Sequence, residues 1–311
     1  MKPKSGTRGT ALAMSQARDL QRRLTALGHE VETVEIKTSG DKDQKNAFAA
    51  VGAPGVFVRE IENALMEGRI DVAVHCYKDL PSVGPRELVI AAMPDRASQS
   101  DSLFVREDTL VESAGFLPLA AGARVGSASA RRVALLRHER PDLQTGLLRG
   151  NVPTRLAKLL AGDHDAILLA SAGLQRLAAS AERGENESPI PPGVIQIELD
   201  PQRFVPAPSQ GALALQVRAD DAATHEAVSA LDRPDGHDEV RAERELLALV
   251  EAGCQVPFGA WCRRAASGEL ELFAALERDG ALRRAEARGS DPRSVARSAF
   301  EALLPEEAAR R

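Results

Sequence analysis

The chain has 311 residues and a formal net charge of −5, from 40 Lys and Arg against 45 Asp and Glu. An acidic total with only 3% aromatic residues argues against a nucleic-acid binder. No apolar run reaches the ~18 residues that span a bilayer, and Cys76, Cys254 and Cys262 form neither a disulfide framework nor a CxxC pair. Hydrophobic residues at 43% suit a globular chain of two or three domains. The N-terminus MKPKSGTRGT lacks the apolar stretch of a secretory signal, so the expected compartment is the reducing cytoplasm, away from membranes.

Thr10 caps a predicted helix that ends at Gly28, with Ala13, Ala17, Leu20, Leu24 and Leu27 on one stripe. Arg8 and Thr10 flank the start of that helix, an arrangement that fits an anion site or an ordinary loop arginine equally well. Val31–Ile36 alternates as a strand, the polar stretch 37–52 is a long loop, and a helix is expected over 55–67. Ile70–Tyr77 then reads as a strand that delivers Lys78, Asp79, Leu80 and Pro81 at its carboxyl end. Ligands of open α/β sheets bind at that edge. Asp79 is therefore either a site carboxylate or a turn former before proline, and Lys78 a candidate anion holder. His75 has no partner at metal-ligand spacing and reads as structural; no metal is expected.

Leu88–Ala92 is a further strand, and PDRASQSD (94–101) reads as a linker. A second α/β unit follows, with strands near 102–106, 145–149 and 165–170 and helices near 129–138 and 153–161. Residues 124–158 hold eight Lys and Arg against Glu139 and Asp142 alone. Arg131 and Arg132 follow the small-residue turn Gly126–Ser129, Arg149 precedes Gly150, and Arg155 lies in the first turn of a helix. Forked guanidinium groups at helix N-termini suit carboxylates or phosphates, whereas Arg137 and Arg140 read as a solvated face. A short helix carries Arg176, a polar loop spans 181–193, and Val194–Leu199 is a strand. PAPSQG (206–211) reads as a second crossing before the strand Ala212–Val217. Two crossings around residues 100–200 imply an inserted domain, a hinge and a ligand cleft. A helix over 238–252 leads to Cys254 on a Gly-flanked loop, either a reactive thiol or a small buried hydrophobe. Alternating strands and a helix near 291–304 close an α+β third domain.

Taken in order, TRGTALAMSQA, GVFVREIENALMEGRIDVAVHCYKDLP, GSASARR, LRGNVPTRL, DAILLASAGLQRL, PAPSQGAL and EAGCQVPFGA resemble the porphobilinogen deaminase (hydroxymethylbilane synthase) family over nearly the whole chain. The resemblance implies an α/β chain with two type 2 periplasmic-binding-like domains joined by a hinge, plus a smaller α+β C-terminal domain. The expected boundaries are 1–98 with 202–218, 99–201, and 219–311. It implies a transferase of heme and porphyrin biosynthesis. Four porphobilinogen molecules are condensed with loss of ammonia on a dipyrromethane cofactor, bound by thioether to Cys254, and hydroxymethylbilane is released.

Asp79 matches the family's catalytic aspartate, which stabilises the cation formed when the aminomethyl group leaves. Lys78, Asp79, Ser127, Ser129, Arg131, Arg132, Gly150 and Arg155 match cofactor positions, and Arg8, Thr10, Arg149, Arg155, Arg176 and Gln210 match substrate positions. A monomer with transient hand-off to the next enzyme of the pathway is implied. The chain departs from the family pattern at Cys76, Pro54, Ala128 and the long stretch 181–205. The rival expectation is a non-enzymatic carboxylate-binding protein of the same two-domain fold, which leaves Cys254 and the third domain unexplained.

Overall fold

The structure is a computed structural model describing residues 2–37, 58–253 and 256–309. The chain divides into two compact units, residues 1–97 with 211–237 and residues 98–210 with 238–311. Most of the expected loop 37–52, Pro54 and the start of the helix expected at 55 fall outside the described residues.

The first unit opens with β1 (Lys4–Thr7), α1 (Ala11–Ala26), β2 (Glu32–Glu35), α2 (Arg59–Met66), β3 (Val72–Cys76) and β4 (Leu88–Ala92). In the second unit follow β5 (Asp101–Arg106), β6 (Arg124–Gly126), α3 (Ala130–Glu139), β7 (Gln144–Gly146), α4 (Val152–Leu160), β8 (Ala166–Ala170), α5 (Ser171–Glu182) and β9 (Val194–Glu198). The chain returns to the first unit with β10 (Leu213–Arg218) and α6 (Ala222–Ser229). It ends in the second with α7 (His237–Val250), β11 (Phe258–Arg264), β12 (Leu270–Arg278), β13 (Ala281–Gly289) and α8 (Pro292–Leu303).

The two five-stranded sheets share one topology. Their orders are β2-β1-β3-β10-β4 and β7-β6-β8-β5-β9. Three strands run parallel, and the fourth position is held by the strand that follows a crossing, β10 or β5, antiparallel to both neighbours. This is the type 2 periplasmic-binding arrangement, built twice.

Each sheet is covered on both faces. In the first unit Leu20, Leu24, Val72, Val74, Leu215 and Val217 pack on one side, and Ile61, Leu65, Ile70 and Ala73 on the other. In the second, Leu103, Val105, Val125, Leu135 and Leu168 oppose Phe104, Leu148, Leu156, Leu159 and Ile167. Alternate residues of a strand face opposite ways, so one strand feeds both cores. The strand β1 is central although Lys4-Ser5-Gly6-Thr7 has no apolar alternation. Gly6 explains its composition, since a Cβ there would lie 2.3 Å from Ile70 Cδ1.

The C-terminal α+β part is a three-stranded antiparallel sheet with α7 and α8 packed through Leu246, Leu272, Leu276, Val295 and Phe300. The opposite face of that sheet gives Trp261 and Ala275 to the core that holds Leu103 and Leu135. Gly259 in β11 lets this layer approach the chain at Val205–Pro206. A Cβ there would meet Val205 O at 2.6 Å and Pro206 O at 3.0 Å. Both are backbone atoms and cannot yield cheaply. Gly259→Ala is therefore expected to cost about 1–3 kcal/mol, read as a lowered urea midpoint with an unchanged slope.

Candidate active site

In the first unit the carboxyl ends of the parallel strands β1 and β3 share one sheet edge. Arg8 and Thr10 follow β1, both half-buried, and Thr10 Oγ1 caps α1 by accepting the Ala13 amide at 3.3 Å. A single 3₁₀ turn, Tyr77–Asp79, follows β3. Tyr77 N donates to Ala212 O at 3.0 Å and Leu80 N to Tyr77 O at 3.2 Å. Leu80 sinks into a small core with Val58 and Ala214, contributing about 1.5–3 kcal/mol of burial. The turn is thus pinned at both ends, leaving Lys78 half-buried and Asp79 exposed at its tip.

Behind the turn, His75 Nε2 meets Gln216 Oε1 at 3.0 Å, and Gln216 Nε2 donates to Glu62 Oε1 at 3.1 Å. Burial holds His75 down at about 4, outweighing its hydrogen bond to Gln216. It is a neutral, structural histidine, as the sequence suggested.

The second unit brings Arg131, Arg132 and Arg155 together. Its parallel strands β7, β6 and β8 end on one edge. After β6, Ser127 Oγ accepts the Ser129 amide at 3.2 Å, and Ser129 Oγ caps α3 by accepting the Arg132 amide at 3.4 Å. Arg131 and Arg132 therefore sit in the first turn of α3. After β7, Gly150 has φ +117°, and a Cβ there would lie 2.8 Å from Thr154 Cγ2. Asn151 caps α4 through Thr154 N at 3.0 Å. The carbonyls of the Arg149–Gly150 turn accept from Lys158 Nζ at 3.1 Å and Arg155 Nε at 2.7 Å. Arg149, Arg155 and Arg176 are half-buried, Arg176 on α5 beyond β8. By contrast, Arg140 is held by Leu117 O, Leu119 O and Asp142, a structural role.

Arg131 and Arg132 are only 6% and 7% exposed, and both turn toward Asp101, which is fully buried. Asp101 Oδ2 accepts from Arg131 Nη1 at 2.7 Å. Its Oδ1 accepts from Arg132 Nε and Nη2 at 3.1 and 2.7 Å. Gln210, expected at the substrate, is itself buried and donates its amide to Asp101 Oδ1 at 2.9 Å and to Gln99 O at 2.8 Å. Asp101 escaped the sequence reading because it closes a polar stretch that looks like a linker. The available signal was an acid placed directly at the head of the apolar strand SLFV.

Burial alone would raise the Asp101 carboxyl, but the guanidinium groups of Arg131 and Arg132 outweigh it and hold it well below the usual carboxylate range. Burial, and then the neighbouring Arg132, push Arg155 down to about 10, so it stays charged at neutral pH. Two guanidinium groups thus face one carboxylate, and a third, that of Arg155, lies near enough to Arg132 to feel its charge. The donor set carries a cationic excess at two helix N-termini and fits a group bearing several carboxylates.

Comparison with known families identifies the chain's relatives. The model for porphobilinogen deaminase, dipyromethane cofactor binding domain, matches residues 4–226, and that for porphobilinogen deaminase, C-terminal domain, matches 238–304. The chain belongs to the porphobilinogen deaminase family. A porphobilinogen deaminase of Rubrobacter xylanophilus is 39% identical over 305 residues, covering 98% of this chain and 94% of that protein. Those of Sphingopyxis alaskensis and Bacillus thuringiensis are 42% and 38% identical, covering 89% and 97% of this chain and 84% and 94% of theirs. An ancestral cationic amino acid solute binding protein is similar at 15% identity and TM-score 0.46, over 74% of this chain and 87% of that one.

A porphobilinogen deaminase reading accounts for the C-terminal match, which the rival carboxylate-binding protein does not. Cys254 lies outside the described residues, between α7 and β11 in the sequence. Among the described residues no helix is long and apolar enough to cross a membrane.

The depressed Asp101 carboxyl fixes the sign of an acid effect. The unfolded chain takes up this proton near pH 4 and the folded chain does not. Its stabilisation is therefore complete above about pH 4 and is lost as pH falls further. Asp101→Ala leaves two buried cations unpaired and is expected to cost about 3–5 kcal/mol at neutral pH. Urea titrations from pH 7 to 3 check both points, since the gap between wild type and variant should narrow at the acid end.

Proposed function

We propose that this protein condenses four porphobilinogen molecules head to tail, releasing ammonia at each step, on a dipyrromethane held by thioether to Cys254. Hydrolysis then frees hydroxymethylbilane. The observation that carries this reading is the coincidence of the family match with a cationic excess, Arg131 and Arg132 buried on the single carboxylate of Asp101 with half-buried Arg155 near Arg132.

When bound, the cofactor supplies a pyrrole α-carbon as the growing end. Lys78, Arg131 and Arg132 hold its carboxylates, with Ser127 and Ser129 at the helix N-terminus and Gly150 keeping its turn open. Arg8, Thr10, Arg149, Arg155 and Arg176 bind the acetate and propionate of incoming substrate. Gln210 serves the same site from behind through Asp101. Asp79 stabilises the positive charge that grows on substrate as the aminomethyl nitrogen departs. An exposed, rigidly presented carboxylate does this with little reorganisation.

We further propose a cytoplasmic monomer that passes its product directly to the next enzyme. Three functional domains, 1–98 with 202–218, 99–201 and 219–311, complete the reading.

The direct test is porphobilinogen turnover. Asp79→Asn should lower kcat by roughly 10²–10³-fold with an unchanged melting temperature. Wild-type turnover in that variant would remove Asp79 from the chemistry. Arg155→Lys keeps the charge but loses the fork, and is expected to raise KM for porphobilinogen more than it lowers kcat.

A further inference from the structure

We propose that Asp101 is a positioning residue for the cofactor. It locks the guanidinium planes of Arg131 and Arg132 so that the side-on fork of Arg131 is presented to a ligand carboxylate. The inference rests on the reading that the second unit holds the cofactor.

Each guanidinium is fastened at two points. Arg131 Nη1 donates to Asp101 Oδ2 and, at 2.8 Å, to Val205 O. Arg132 gives its own side-on pair, Nε and Nη2, to Asp101 Oδ1, and its Nη1 to Leu168 O at 3.0 Å. The two Arg132 anchors lie on different nitrogens, and the two Arg131 anchors use the two in-plane hydrogens of Nη1; either pair fixes the plane of the group. The commitment is unequal: Arg132 turns its fork inward, whereas Arg131 uses Nη1 alone. Among the described residues, the Nε–Nη2 edge of Arg131 makes no hydrogen bond. That edge is the geometry a carboxylate receives in bidentate fashion.

The carboxylate in turn is fixed. Asp101 opens β5, pairs with Ala170 of β8, and its backbone carbonyl accepts the Leu199 amide at 2.9 Å. Gln210 braces Oδ1. Arg131 and Arg132 have short tethers, in the first turn of a helix capped by Ser129. The site therefore brings a strand start, a helix start and a return segment onto one carboxyl group. A carboxylate needed only to neutralise charge would not require this placement, and neutralising both arginines would take two.

Positioning and neutralisation give opposite results in one experiment. Apoprotein made in cells unable to produce porphobilinogen is incubated with hydroxymethylbilane, and adduct formation is followed by intact mass. Asp101→Asn adds net positive charge and disturbs the fork. Asp101→Glu keeps the charge and shifts it by one methylene. Positioning requires both variants to load at least ten-fold more slowly than wild type. Wild-type loading by Asp101→Glu, or equal or faster loading by Asp101→Asn, would overturn the proposal in favour of a simple counter-ion.

Circular dichroism confirms the fold of each variant. If neither folds, Gln210→Ala, which removes the brace and leaves every charge, decides: slower loading supports positioning, and unchanged loading overturns it. A wild-type apoprotein that acquires no adduct would instead overturn the cofactor reading itself.

Discussion

A carboxylate buried between two guanidinium groups sets the form of the second unit. Removing Asp101, Arg131 and Arg132 from water costs several kcal/mol for each ion, and mutual attraction offsets this only when the geometry is good. Four donors meet the two oxygens of Asp101, which supplies that geometry. Residues 98–101 carry the chain into this unit and residues 204–210 carry it out. The amide of Gln210 reaches Gln99 O, Ser100 O and Asp101 together, so entry and exit are clamped where the ion cluster sits. Glu243 of α7 extends the clamp by accepting the Ser209 and Cys262 amides, each at 2.7 Å. Through it the frame of the C-terminal sheet is tied to the same return segment.

The two units contribute different chemistry. The first presents Asp79 exposed on a turn held by Leu80, beside half-buried Lys78. The second offers two buried cations on a single buried carboxylate. One sheet topology serves both units. Parallel strands deliver their following loops to one edge, and the loop residues decide what charged groups that edge carries.

Much of this was legible in the sequence. Hydrophobic alternation located β3, β4, β8 and β9, and small-residue turns before Arg131 and Arg155 marked helix starts correctly. The signal failed where the burial was not hydrophobic. Lys4–Thr7 is central, yet its buried face is built from Ser5 and Thr7, with Gly6 making room for Ile70, so no apolar period announces it. Asp101 lies 30 residues from its arginine partners, in a stretch whose polarity reads as solvent exposure. The arginines themselves were visible, but a guanidinium that faces inward has the same letter as one that faces a ligand. Only the fold tells them apart: Arg132 commits its fork to Asp101, whereas Arg131 commits Nη1 alone.

The most direct measurement is the intact mass of the purified protein beside Cys254→Ala. The wild type is expected to be heavier than its sequence by two linked pyrrole units and the variant to match its sequence. Brief exposure to porphobilinogen should then add peaks one pyrrole unit apart to the wild type alone. A wild type of unmodified mass that stays unmodified after hydroxymethylbilane is added, or an adduct retained in Cys254→Ala, would contradict it.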